Sequence, residues 1–114
     1  MGAEPLSVTR TIRPDGVVVL ELAGELTVLT RDRLDGADGD ARVVIAAYGL
    51  THIDTSGLAC LVRLAGSCAE RGGRLAVAGL DADIHDMRQH LFLDEAILFA
   101  DALEDAARLV SAAP

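Results

Sequence analysis

The chain has 114 residues, 51% of them hydrophobic but only 3% aromatic, and a formal net charge of −8. That length supports one core, and the composition makes it aliphatic and alanine-rich. The charge argues against a nucleic-acid partner, which needs a basic face. All ten basic residues are arginine, so P-loop, Schiff-base and general-base chemistry on lysine is excluded.

Val8 to Ile12 alternates weakly, Pro14-Asp15-Gly16 marks a turn, and Val17 to Leu22 is β-branched and apolar. Together they predict an N-terminal antiparallel β-hairpin. After Gly24, Thr27 is expected to cap a short helix carrying Leu29, Arg33 and Leu34. Asp35 to Asp40 is a polar loop. The continuous apolar run from Arg42 to Ala47 predicts a buried strand, which extends to Ile53.

An Asp54-Thr55-Ser56-Gly57 turn follows, and then Leu58, Leu61, Val62, Ala65 and Cys68 or Ala69 recur at helical spacing. Arg71-Gly72-Gly73 closes that helix. Cys60 and Cys68 stand about 12 Å apart along its axis, too far to bridge, and read as small buried hydrophobes. Leu75 to Ala78 predicts a short strand, and Ile84, Met87 and Leu91 share a face of a third helix. Ile97 to Ala100 predicts the last strand. Asp101 and Glu104 resemble a capping pair before a final stripe of Leu103, Ala106, Ala107 and Val110. Alternating strands and helices predict one α/β domain over residues 1–114, with a small, mixed, mostly parallel sheet and packed helices.

Chemistry outside the Asp54 turn is scarce. His52, His85 and His90 lack the spacing of a metal site, and His52 reads as a surface residue. Asp81, Asp83 and Asp86 fail the calcium-loop pattern, with Asp86 where glycine belongs and Phe92 where glutamate belongs. Ser56 lacks the Gly-x-Ser-x-Gly elbow, and no Gly-x-Gly-x-x-Gly follows a strand. Neither an enzyme, a cofactor nor a metal is expected. No apolar run approaches the roughly 18 residues of a membrane span. Met1 to Ser7 shows neither region of a signal peptide, so a cytoplasmic location is expected.

The Asp54 turn places two hydroxyls, Thr55 and Ser56, at a helix N-terminus. Open backbone N–H groups and the positive end of the dipole favour an anion there. Capping alone accounts for Asp, Thr and Ser at such a position, at about 1 kcal/mol each. The surrounding sequence carries the reading further. Val43-Val44-Ile45 followed by Ile53-Asp54-Thr55-Ser56-Gly57-Leu58-Ala59 resembles the signature of the STAS domain, of the anti-sigma factor antagonist type. Gly24-Glu25-Leu26 matches that family's second landmark. The resemblance covers nearly the whole chain and implies a STAS fold.

The resemblance implies that Thr55, the hydroxyl residue after the aspartate, is the phosphoacceptor, with Ser56 as the alternative. It implies partner contacts through Asp54, Thr55, Ser56, Gly57, Leu58, Ala59 and Glu25. The implied partner is a kinase-type anti-sigma factor, bound when the turn is unphosphorylated, with a serine/threonine phosphatase resetting the switch. In that scheme Gly57 lets a partner backbone approach, and the helix start near Leu58 and Ala59 offers apolar contact. Phosphate is expected to block the contact without refolding the domain.

Three positions depart from the family pattern. Thr27 stands where Gly-Glu-Leu is usually followed by Asp, Ala46-Ala47-Tyr48 replaces Asp-Leu-Ser, and the usual proline is absent between Gly79 and Asp83. Two other roles suit the same fold. One is a STAS subunit of a lipid-transport ATPase; the other is a small-ligand sensor, with Arg63, Arg71 and Arg74 supplying charge.

Overall fold

A computed structural model describes residues 6–34, 39–79 and 97–111. Five strands form one sheet in the order of the sequence: β1 (Ser7–Ile12), β2 (Val18–Leu26), β3 (Arg42–Ile53), β4 (Arg74–Ala78) and β5 (Leu98–Ala100). β1 and β2 pair antiparallel, Ile12 opposite Val18, as the Pro14-Asp15-Gly16 turn predicts. The remaining neighbours pair parallel. A parallel pair needs a crossover, and α1 (Thr55–Glu70) supplies it between β3 and β4. The final helix, α2 (Leu103–Ser111), follows β5. The mixed, mostly parallel α/β sheet expected from the sequence is present.

Side-chain alternation divides the core between the two sheet faces. On one face Leu20, Leu22, Val43 and Ile45 meet Leu58, Leu61, Leu64, Ala65 and Cys68 of α1. On the other, Val17, Val19, Val44, Ala46, Ala76 and Ala78 meet Ala106, Ala107 and Val110 of α2. Each buried leucine of the α1 stripe contributes about 1.5–3 kcal/mol. The α2 stripe is mostly alanine, which lets the helix lie close to the small side chains of β4. Cys60 and Cys68 are buried thiols, not joined in a disulfide. Burial pushes the Cys68 thiol up to about 11.

β3 does not keep the period of a regular strand. Its register against β2 slips twice, between the pairs Glu21–Ala46 and Ala23–Gly49, and between Gly24–Leu50 and Glu25–His52. Each slip places one extra residue in β3, a bulge that kinks the strand. The residues facing α1 therefore become Ala47, Leu50 and Ile53, spaced by three, while Tyr48, Gly49, Thr51 and His52 are exposed.

Several expectations are corrected. The segment after β2 forms a 3₁₀ helix over Arg31–Leu34 rather than a helix that starts directly after Thr27. Thr27 does make cap-type bonds, its Oγ1 accepting from the Leu29 N–H at 3.2 Å and its carbonyl from the Arg31 N–H at 2.9 Å, but they close a turn that precedes the 3₁₀ helix. Leu34 is buried there, but Leu29 is 77% exposed. Asp101 and Glu104 form no capping box: α2 starts at Leu103, and Glu104 pairs with Arg13 at 3.1 Å. Val62 is only partly buried and Ala69 is exposed, because the apolar face of α1 runs instead through Cys60, Leu61, Leu64 and Cys68. The expected helix of Ile84, Met87 and Leu91, the aspartates Asp81, Asp83 and Asp86, His85, His90 and most of the Asp35–Asp40 loop lie outside the described residues. Among the described residues, no helix is long and apolar enough to cross a membrane, and no cluster of His, Cys, Asp or Glu could hold a metal.

Candidate functional site

The C-terminal ends of β2 and β3 lie side by side, with Leu26 opposite Ile53. This brings Glu25-Leu26-Thr27 next to Asp54-Thr55-Ser56, two segments separated by nearly thirty positions. The Asp54 N–H donates to the Leu26 carbonyl at 3.2 Å, carrying the pairing one residue past the strand.

Asp54 is the N-cap of α1, with an extended backbone (φ −105°, ψ −179°). Its Oδ1 accepts from the Gly57 N–H at 2.8 Å, the usual capping bond. Its Oδ2 accepts from the Val28 N–H at 3.1 Å. The second bond ties the loop after β2 to the start of α1. That loop is internally fixed as well. Thr30 Oγ1 donates to the Glu25 carbonyl at 2.6 Å and accepts from the Thr27 N–H at 3.0 Å. Val28 and Leu29 are consequently held out to solvent, 55% and 77% exposed, on a backbone with little freedom.

Thr55 is exposed on the first turn of α1, and Ser56 is half-buried behind it. The Leu58 N–H is taken by the Asp54 carbonyl at 3.0 Å and Gly57 by the Asp54 side chain. Among the described residues, nothing accepts from the N–H groups of Thr55 and Ser56. These two donors and the positive end of the dipole lie at the helix start that carries the exposed Thr55.

Not every residue of the expected contact surface is at the surface. Leu58 is 1% exposed and packs in the core beneath the sheet, so its side chain is not at the surface. Gly57 is buried too. A Cβ there would overlap the Leu26 carbonyl oxygen and stand 2.9 Å from Ile53 Cγ1, so glycine serves the close approach of α1 to β2 inside this chain. Ala59 and His52 are exposed, and Glu25 is half-buried beside His52. Arg71 and Arg74 lie at the far end of α1 from Thr55, roughly 24 Å along a 16-residue helix, and do not join the turn. Sequence patterning missed Val28 and Leu29, because their position depends on the Asp54 bond across 26 residues.

A family model described as "Mlab, STAS domain" matches residues 9–109. The chain belongs to this STAS family. Solved structures share the STAS fold. An anti-sigma factor antagonist from Mycobacterium paratuberculosis is 21% identical, with a TM-score of 0.74 over 93% of this chain and 96% of that one. The Bacillus cell fate determinant SpoIIAA, in its phosphorylated form, is 15% identical, with a TM-score of 0.67 over 90% and 99%. A sulfate transporter family protein from Wolinella succinogenes is 21% identical, with a TM-score of 0.68 over 88% of each chain. No curated protein sequence matches the chain significantly. At these identities the likeness is one of fold, and it spans both regulators of sigma factors and transporters.

Proposed function

We propose that this chain, one STAS domain over residues 1–114, is an anti-sigma factor antagonist working by a phosphorylation-controlled partner switch. With Thr55 unmodified it binds a kinase-type anti-sigma factor in the cytoplasm. With Thr55 phosphorylated it does not, and a serine/threonine phosphatase restores the binding form. The domain needs no cofactor and performs no catalysis of its own. Thr55 is the preferred acceptor and Ser56 the alternative, because Ser56 is half-buried.

The observation that carries this reading is the exposed Thr55 hydroxyl on the first turn of α1, with the Thr55 and Ser56 amides open beside it. A phosphate adds about −1.5 to −2 charge. The open amides and the dipole receive that charge, so the helix tolerates it. At a docked interface the same group must be desolvated, and a penalty of about 1.4 kcal/mol already weakens binding tenfold. The exposed part of the proposed contact is Thr55, Ala59, the rim of Asp54 and Ser56, and the adjoining Val28 and Leu29.

A STAS subunit of a lipid-transport ATPase is the second reading, favoured by the shared fold of a transporter-family protein. Affinity capture from native lysate, with the unmodified chain and a Thr55→Glu form side by side, separates the two. An ATP-binding anti-sigma factor retained only by the unmodified chain supports the switch. Transporter subunits retained equally by both forms refute it and leave Thr55 a structural residue.

A further inference from the structure

The sheet face that carries α2 is covered only in part. Among the described residues α2 lies over β3, β4 and β5 and over Val19 at the start of β2, while the same face of β1 and of β2 at Glu21 and Ala23 is exposed. Two adjoining depressions of about 180 and 230 Å³ occupy it, sharing Glu21, Ala46 and Tyr48. Small residues, Ala23, Ala46 and Gly49, form their floor. Hydroxyl residues of β1, among them Thr9 and Thr11, form one wall.

The opposite wall is Tyr48, aimed there by the first bulge of β3. Its hydroxyl donates to the Asp101 carbonyl at 2.9 Å. Its ring rests on Gly79, which has φ +82° and where a Cβ would stand 2.5 Å from Tyr48 Cδ1. The ring is thus braced on one side and yet 58% exposed. A fixed, exposed aromatic offers a cation-binding surface at little entropic cost.

The charge in this groove is negative. Glu21 is exposed on the sheet and has no ion-pair partner among the described residues. Arg13, at the far end, is neutralised by Glu104 at 3.1 Å and Asp15 at 3.3 Å. Among the residues that line the groove an anionic ligand finds no free cation, whereas a guanidinium finds a carboxylate and an aromatic ring together. β1 is also an edge strand, and among the described residues its outer main-chain groups pair with no other strand.

We propose that this groove docks an extended, arginine-bearing segment of a partner protein. The segment lies along the hydroxyl residues of β1 on this face, and an arginine side chain lies between the Glu21 carboxylate and the Tyr48 ring. The site involves no part of the Thr55 turn and stands whether or not Thr55 is phosphorylated.

Tyr48 is the sole tyrosine and there is no tryptophan, so its fluorescence reports this groove alone. The chain is titrated with the hexapeptide Thr-Arg-Thr-Arg-Thr-Arg, with the glutamine-for-arginine peptide, and with arginine amide as a free cation. Amide NMR spectra accompany each titration. Saturable binding of the arginine peptide, with shifts at Ser7 to Ile12, Glu21 and Gly49, is expected. Glu21→Gln, a surface change that leaves the core intact, weakens it about fivefold, and rising salt weakens it as well. Tyr48→Leu weakens it to a similar degree, read by NMR, with the unfolding midpoint checking that the domain is intact. Equal binding of the glutamine peptide, unchanged affinity in Glu21→Gln, or arginine amide binding as tightly as the peptide each overturns the proposal.

Discussion

Asp54 uses both carboxylate oxygens, and the two bonds can be separated by substitution. One oxygen caps α1 through Gly57 at 2.8 Å and the other holds Val28 at 3.1 Å. Asp54→Ala removes both. Loss of the cap costs about 1 kcal/mol, and loss of a second, half-exposed hydrogen bond about another 1 kcal/mol. The sum of about 2 kcal/mol corresponds to a midpoint lowered by about 8 °C in a chain of this size. Asp54→Asn keeps one acceptor for Gly57 but turns an N–H₂ group toward the Val28 N–H, and it forfeits the charge at the dipole. Its expected cost is about 1 kcal/mol, half that of alanine. Thr55→Ala, at an exposed first-turn position, serves as the control and changes stability by less than about 0.5 kcal/mol. Urea unfolding measures the three variants, with an unchanged m-value showing that stability alone has moved. Hydrogen exchange at the Val28 amide reads the second bond directly and accelerates in both Asp54 variants. An Asp54→Ala chain as stable as the parent, or an Asp54→Asn chain with unchanged Val28 exchange, would refute the two-bond account.

Gly57→Ala sets a methyl against the Leu26 carbonyl and Ile53, and a loss of about 1–3 kcal/mol is expected in the same unfolding assay. Thr55→Glu is expected to keep the fold. Its amide shifts concentrate at residues 52–62 and also reach Val28 and Leu29 through Asp54, and shifts spread through β1 or α2 would contradict that. Cys68, 2% exposed and with its thiol pushed up to about 11, resists iodoacetamide in the folded chain at pH 7.5 and reacts once urea unfolds it; mass spectrometry counts the adducts. Because the folded chain keeps that proton above the ordinary value of 9.0, this thiol favours folding below pH 9, and its contribution fades as pH rises from 9 to about 11. A urea midpoint that rose over that interval would count against the assignment.

Much of this protein is determined by sequence patterning that acts locally. The Pro14-Asp15-Gly16 turn, the unbroken Val43–Ala47 run and the helical stripe from Leu58 to Cys68 each state their element within a few residues. Strand–helix alternation then leaves a mostly parallel sheet as the way to bury all of them. The Asp54 cap and the exposed Thr55 were legible for the same reason, since a cap and its helix are neighbours in the chain.

Tertiary structure decided whatever depends on contact between distant segments. Thr27 makes its cap-type bonds, yet they close a turn, and the helix expected after it is only the 3₁₀ segment Arg31–Leu34. Leu58 looked exposed at a helix start, yet the sheet covers it, and Gly57 answers to the Leu26 carbonyl. The two bulges of β3 change its inward spacing from two to three, place Ala47, Leu50 and Ile53 on the core, and turn Tyr48 outward. The Asp54–Val28 bond joins residues 26 apart and makes one surface of two loops. Periodicity records which face a residue would take in an unbroken element; only the packed sheet determines where the element breaks and which segment lies beside it.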